Sequence, residues 1–278
     1  MKWIDSHVHV WTPDTLSYPI KTGTDWDDRF PKDFTPETLF RYARPSQVQR
    51  FVLVAHQVYY GTDNSYMLDT LQRWPEVFRI VGFVNHRGAK VAEKMKGLQT
   101  QGVTGFRIVP DPGRETTWLQ EPGYSDMFNT AAETGQSICP LIRPESMPEL
   151  DRMCKQHPDT SVVIDHLASV GSRGNVDDGD VRTLCSIARN PNVCIKVSAF
   201  YALGSRNPPH HDLVPLIERV VDAFGPERVM WGSDSPYHVQ DETYEDSIKL
   251  VRDKLDFLSA SDRENILCKT AERVFFSA

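Results

Sequence analysis

Two histidines stand one residue apart near the start of the chain, in the segment WIDSHVHVW (residues 3–11). Because side chains alternate between the two faces of a β-strand, His7 and His9 project from the same face, with Asp5 one step before them. Two imidazoles on one face can bind a divalent metal, contact a substrate or simply share a pocket. The H-x-H spacing alone does not decide between these uses.

Further polar side chains stand at or near the ends of short apolar segments along the chain. In order they are His56, His86, Arg107, Arg143, His166, Ser198 and Asp234. If the segments are parallel strands of one sheet, these side chains meet at its carboxyl edge, where active sites of α/β proteins are assembled. An aspartate beside imidazoles can take a proton from water, and a histidine or a metal can polarise a carbonyl group.

Two arginines and two tyrosines are candidate substrate contacts at the same edge. The guanidinium groups of Arg107 and Arg143 suit the two oxygens of a carboxylate, and the alternative is a buried ion pair with acidic neighbours. Tyr59 and Tyr201 follow strand ends, where they contact a substrate or pack beneath a loop. A base, an electrophile and a carboxylate clamp are the parts needed for water to attack the ester of an acidic, ring-closed metabolite.

The elements that must position these residues alternate regularly. Apolar, strand-like segments occupy residues 3–11, 50–57, 78–86, 102–109, 137–144, 161–168, 193–200 and 228–234. Helical patterns occupy residues 36–45, 65–74, 89–102, 125–135, 147–157, 180–190, 212–225, 244–256 and 261–275. Eight strand–helix units predict one (β/α)₈ barrel, a TIM barrel, as a single domain over residues 1–278, since about 250 residues are typical of that fold. A doubly wound open sheet is less consistent, because no glycine-rich phosphate loop follows a strand.

Local signals mark some element ends. Ser261 with Glu264 predicts a capping box at the start of the last helix, and Gly135 and Gly225 predict helix C-termini. The irregular stretch 11–34 is long enough to be a lid or a binding loop.

Composition excludes several classes of function. The 278 residues carry a formal net charge of -7, which argues against binding to nucleic acid or to an anionic membrane surface. The five cysteines form no C-x-x-C pair, and the N-terminal segment resembles neither a signal peptide nor a membrane span. A soluble, cytoplasmic protein with reduced thiols is the prediction.

Three of these segments together resemble a known family. H-x-H at the first strand, VIDHLA at the sixth and WGSDSPY at the eighth resemble the amidohydrolase superfamily, and within it the branch of sugar-lactone and pyrone-dicarboxylate lactonases. The resemblance implies an active site of His7, His9, His166 and Asp234, with a metal on His7, His9 and Asp234. Arginines stand near the places where binuclear members carry further metal ligands, so the expectation is one divalent ion, zinc first, or none.

The resemblance and the residue chemistry agree on a function. We expect hydrolysis of a carboxylated or sugar-derived lactone, a small-molecule substrate, with Asp234 as general base and His166 positioning or polarising the carbonyl. The small residues Gly232 and Ser233 before Asp234 are expected to leave room for water and substrate. The alternatives are a decarboxylase of an aromatic or unsaturated acid and an inactive barrel used for binding; the joint presence of the four site residues argues against the second.

Overall fold

The computed structural model describes residues 2–25, 29–240 and 242–277. Eight parallel strands form one sheet in the order β1 to β8, so each strand pairs with the next along the chain. The strands are β1 (Trp3–Val8), β2 (Val48–Val54), β3 (Phe78–Gly82), β4 (Val103–Ile108), β5 (Ser137–Pro140), β6 (Ser161–Ile164), β7 (Val193–Ser198) and β8 (Val229–Gly232). The predicted (β/α)₈ barrel is confirmed.

Helices lie between successive strands and cover the barrel. They are α1 (Pro36–Ala43), α2 (Gln57–Tyr60), α3 (Ser65–Arg73), α4 (Val91–Gln99), α5 (Pro122–Thr134), α6 (Met147–Gln156), α7 (Asp178–Ser186), α8 (Val214–Phe224), α9 (Tyr244–Lys249) and α10 (Ala260–Glu264). Helix α9 continues as a π-helix over Leu250–Lys254, and α10 is followed by π-helical turns at Asn265–Lys269 and Glu272–Phe276. None of the helices in the described residues is long and apolar enough to span a bilayer.

Two local predictions need correction. The capping box of α10 is formed by Ser259 and Asp262, one half-turn before the predicted pair Ser261 and Glu264. Ser259 has the extended backbone that an N-cap requires, and its hydroxyl accepts from the Asp262 N–H at 3.2 Å. The strand predicted over residues 161–168 ends at Ile164, because residues 166–169 have φ between 50° and 58° and leave the ladder.

The interior of the barrel is filled in layers. A cluster of apolar side chains from the strands occupies its lower part, and Phe275 and Ala271 close it from below; the strand members are Ile4, Val52, Val54, Val81, Cys139, Val163, Cys194 and Met230. A larger cluster lies between the strands and the helices. The layer above, toward the carboxyl ends, is charged, which places the polar residues where a barrel carries its active site.

The stretch 11–34 is anchored to the barrel at both ends. Trp11 and Phe34 exchange two backbone hydrogen bonds of 3.0 Å, and the Trp11 indole N–H donates to the Pro31 carbonyl at 2.9 Å. Residues 26–28 of this predicted binding loop lie outside the described residues.

Strands β1 and β8 approach each other closely where the barrel closes. The Asp234 N–H donates to the His7 carbonyl at 2.9 Å, and the His9 N–H donates to the Ser235 carbonyl at 2.8 Å. A Cβ at Gly232 would lie 2.8 Å from the His7 Cβ and 3.0 Å from the His7 nitrogen. The expectation that Gly232 leaves room for water was wrong, since the space beside it is filled by β1.

Replacing Gly232 by alanine should therefore lower the free energy of unfolding by about 1–3 kcal/mol, because the new methyl group forces β1 away from β8. Urea denaturation measures the change. Gly97→Ala is the control, since Gly97 lies in α4 with open space where a Cβ would stand. That variant should gain up to about 1 kcal/mol from helix propensity. Changes of the same sign at both positions would show that the approach at Gly232 is not tight.

Candidate active site

A cavity of about 490 Å³ opens at the carboxyl ends of the strands. Polar side chains from β4 and from the loops after five other strands line it, among them His9, His56, Arg107, His166, Tyr201, Asp234 and Tyr237. Asp234 is 5% exposed and lies within reach of three imidazoles, so it stands at the centre of the polar part.

The two carboxylate oxygens of Asp234 have different neighbours. Oδ1 lies 3.1 Å from His9 Nε2 and 3.5 Å from His7 Nε2. Oδ2 accepts a hydrogen bond of 2.7 Å from the Tyr201 hydroxyl and lies 3.8 Å from His166 Nε2. The φ of Asp234 is 62°, a left-handed conformation that a non-glycine residue adopts only where its surroundings hold it. The carboxylate is therefore fixed on both sides.

The hydrogen bond of His9 on its other side determines what can lie between His9 and Asp234. His9 Nδ1 is 2.8 Å from the Val54 carbonyl, so Nδ1 carries the proton and donates it. In the neutral ring, Nε2 then presents a lone pair toward the ionised Asp234 Oδ1 at 3.1 Å. Two acceptors at this distance require a proton or a cation between them.

A divalent metal satisfies that requirement. Ligand atoms of His7, His9 and Asp234 all lie within 4.8 Å of one another, and all three residues are buried. Two imidazoles and one carboxylate suit zinc, and three protein ligands leave a position for water or substrate. The donor set therefore fits the expected single metal.

His7 faces a buried group of charges on its other side. Its Nδ1 lies 3.2 Å from Asp165 Oδ1 and 3.3 Å from Lys196 Nζ, and Lys196 Nζ lies 3.0 Å from the same Asp165 oxygen. Arg107 Nη2 lies 3.4 Å from Asp165 Oδ2 and 3.3 Å from His7 Nε2. Two cations, Arg107 and Lys196, thus balance two carboxylates, Asp165 and Asp234, around one imidazole.

His166 enters the cavity from a strained turn. Residues 166–169 are all left-handed, which costs non-glycine residues roughly 1–2 kcal/mol each. Leu167 and Ala168 are fully buried, and the Ser169 hydroxyl donates to the Ile142 carbonyl at 2.9 Å, so packing holds the turn. The result is that His166 Nδ1 meets the Ser198 hydroxyl at 2.8 Å while Nε2 faces Asp234.

Electrostatics favour an ionised carboxylate among neutral imidazoles. Burial acts to raise the pKa of Asp234, but the neighbouring His166, His9 and His7 outweigh it, and the pKa lies well below its ordinary value. Burial, together with the charge on Lys196, lowers the pKa of His7 well below its usual range, and burial lowers that of His166. These are the protonation states that a metal site requires at neutral pH.

Of the remaining predicted substrate contacts, some line the cavity and others lie outside it. Arg107 lines the cavity but pairs with Asp165, the ion pair that the sequence left as an alternative. Arg143 is exposed and lines a separate depression of about 250 Å³. Tyr59 packs behind the cavity, 4.0 Å from the ring of His56 and 5.1 Å from that of Trp11. The structure does not bring the two arginines together as a clamp.

The model of the amidohydrolase family matches residues 4–276. The chain belongs to the amidohydrolase family. It is therefore a hydrolase, and the resemblance carried by the H-x-H, VIDHLA and WGSDSPY segments is confirmed.

Two curated proteins and one solved structure show how this amidohydrolase relates to known members. L-fucono-1,5-lactonase of Burkholderia ambifaria is 26% identical over 239 residues, which cover 84% of this chain and 80% of the relative. The 4-sulfomuconolactone hydrolase of Hydrogenophaga intermedia is 26% identical over 290 residues, covering 98% and 88%. An amidohydrolase of Burkholderia multivorans with bound zinc superposes with a TM-score of 0.81 at 22% identity, and 99% of each chain is covered.

Sequence reasoning missed three residues of this amidohydrolase site, Asp165, Lys196 and Tyr237, and it placed Ser198 at a strand end without giving it a role. Asp165 immediately precedes His166 in VIDHLA, and Lys196 and Ser198 are two residues apart on β7, so their side chains project from the same face. Their positions in the sequence therefore carried a signal. The Tyr237 hydroxyl is hydrogen-bonded to His56 Nε2, and nothing in its local sequence indicates this partner.

The charge balance around His7 predicts a non-additive response to mutation. Lys196→Met should lower the free energy of unfolding by about 3–5 kcal/mol, because it leaves the Asp165 carboxylate buried beside a single remaining cation. Adding Asp165→Asn should recover part of that loss, since the unpaired charge is then removed as well.

Urea denaturation of the two single variants and the double variant measures this coupling. Arg73→Met is the control, since Arg73 and Glu37 form an exposed pair and its loss should change stability by less than about 1 kcal/mol. A double variant as unstable as the sum of its single changes would contradict the coupling.

Proposed function

We propose that this amidohydrolase opens a lactone ring by hydrolysis, with Asp234 as the general base. The observation that carries the proposal is the ionised Asp234 carboxylate at the centre of the cavity, held through separate oxygens by imidazoles and by Tyr201. The two curated relatives described above support it, because both are lactone hydrolases and both align over most of their length.

The reaction assigns a task to each group. Asp234 takes a proton from water, the water oxygen bonds to the ring carbonyl carbon, and the ring C–O bond breaks. The departing ring oxygen takes the proton back from Asp234, which gives a hydroxy acid. His166 holds the carbonyl oxygen, since its Nδ1 is fixed by Ser198 and its Nε2 faces the reaction centre.

A divalent ion, zinc first, would be held by His7, His9 and Asp234. Such an ion acidifies bound water and polarises a carbonyl. A carboxylate with a strongly lowered pKa is a weak base toward free water. Water acidified by the proposed ion would give up its proton to Asp234 more readily. Tyr201 and His166 keep Asp234 Oδ2 turned away from the two ligand histidines, and this leaves that oxygen to exchange the proton.

The geometry favours hydrolysis over decarboxylation. Apart from the proposed ion, the cation among the described residues that line the cavity is Arg107 on its floor. Arg107 already contacts Asp165, so it is poorly placed to hold the carboxylate of a decarboxylase substrate. Acid release from lactones and carbon dioxide release from dihydroxybenzoates, measured side by side, distinguish the two reactions.

Asp234→Asn should lower turnover of a lactone by at least roughly a hundredfold with little change in substrate binding, because it keeps the shape and removes the base. His166→Asn should weaken both, since the carbonyl loses a partner and its orientation. Asp256→Asn, an exposed aspartate remote from the cavity, is the control. Near-normal turnover by Asp234→Asn would overturn the assignment of the base.

Metal analysis of the purified protein should find one zinc ion per chain. His9→Asn should reduce that content to near zero, because it removes one of the three proposed ligands. His157→Asn is the matched control, since His157 lies beyond α6 and is hydrogen-bonded to Asn129. Equal zinc content in both variants would exclude the proposed ligand set.

A further inference from the structure

The wall of the cavity differs in chemistry from its floor. Asp234, His9, His166 and Arg107 form the floor, whereas the loops above it contribute apolar side chains. Those side chains are Val58, Val109, Leu141, Ala202 and Leu203, from the loops after β2, β4, β5 and β7. The wall therefore surrounds the part of a substrate that points away from the reacting carbonyl.

Among the described residues that line the cavity, Arg107 is the only lysine or arginine. Its guanidinium lies 3.4 Å from Asp165, so its charge is already compensated. Arg143, the other predicted clamp residue, stands in a depression that also contains Glu145, Asp177 and Asp180. A carboxylate on the substrate would lose its water at the wall without gaining an unpaired cation.

Three hydroxyl groups that line the cavity already have hydrogen-bond partners. Tyr201 donates to Asp234, Tyr237 is bonded to His56, and the Ser169 hydroxyl donates to the Ile142 carbonyl. Gln57 and Ser172 remain as polar side chains on the wall. A ring with a hydroxyl on nearly every carbon would bury several of them without partners, which a binding site penalises strongly.

We propose that the substrate is an uncharged lactone whose ring carries an apolar substituent, and that this substituent lies against the wall formed by Val58, Val109, Leu141, Ala202 and Leu203. The inference rests on the proposed lactone hydrolysis and narrows it. The ring carbonyl faces Asp234 and His166, and the substituent extends toward the mouth. Each methylene that leaves water for such a wall favours binding by about fourfold.

Dissociation constants of inert δ-lactams test the wall independently of turnover. Three lactams are compared by calorimetry on the zinc-supplemented protein: one with an alkyl chain of three to five carbons, one polyhydroxylated and one carboxylated. The alkyl lactam should bind at least tenfold more tightly than the other two. Tighter binding of the carboxylated or the polyhydroxylated lactam would overturn the inference.

Substitutions in the wall test whether these side chains cause the higher affinity for the alkyl lactam. Leu141→Asn is nearly isosteric and should weaken the alkyl lactam about tenfold, while the unsubstituted δ-lactam changes less than twofold. Val58→Thr tests the same wall at a position that is 57% exposed and tolerant of substitution, with an expected loss of about threefold. Leu68→Asn is the matched control, a partly buried leucine that packs on the core outside the cavity.

The corresponding lactones, assayed for acid release, separate the two proposals. Turnover that follows the lactam affinities supports both. If alkyl lactams bind most tightly and no lactone is hydrolysed, lactone hydrolysis is overturned while the wall is confirmed. Equal loss of alkyl and unsubstituted lactam binding in Leu141→Asn would overturn the wall.

Discussion

The contact between Asp234 and His9 across the closing strands β1 and β8 is the interaction on which the site depends. Two backbone hydrogen bonds join the strand ends, and Gly232 allows the approach that makes them possible. Because the neutral His9 ring donates its single N–H to the Val54 carbonyl, His9 Nε2 and Asp234 Oδ1 face each other as two acceptors. The barrel thus closes around a position that requires a proton or a cation. The same close approach of β1 and β8 closes the barrel and forms this position.

The charges beneath this position explain how it can be buried. Asp165 contacts Lys196, His7 and Arg107, and each of these is buried. The positive members offset the desolvation of the carboxylates, and the neutral His7 lies between the Asp165 and Asp234 carboxylates. A divalent ion would add charge at the side that faces the cavity, whereas the Asp165 side is already compensated. The position that still requires a cation is therefore the one beside Asp234 that faces the cavity and the substrate.

The sequence predicted the elements of the barrel well because buried parallel strands are short apolar runs that alternate with amphipathic helices. It also predicted that His7, His9, His166 and Asp234 share one end, since that follows from the fold. It did not reveal the arginine partners, because Arg107 and Arg143 look alike at strand ends and differ only in that Asp165 lies beside the first. Similarly, the left-handed turn at residues 166–169 contains no glycine, the usual sequence signal for such a conformation.

That turn shows why the structure at the carboxyl edge of the barrel is difficult to predict from local sequence. Four successive left-handed residues contradict their own backbone preferences, and Asp234 and Ala199 after the next two strands do the same. Each of these conformations is held by the packing of buried neighbours such as Leu167 and Phe200. The positions that violate local rules are the ones that bring His166, Tyr201 and Asp234 together. The free energy cost of these left-handed conformations must therefore be offset by favourable packing elsewhere in the barrel.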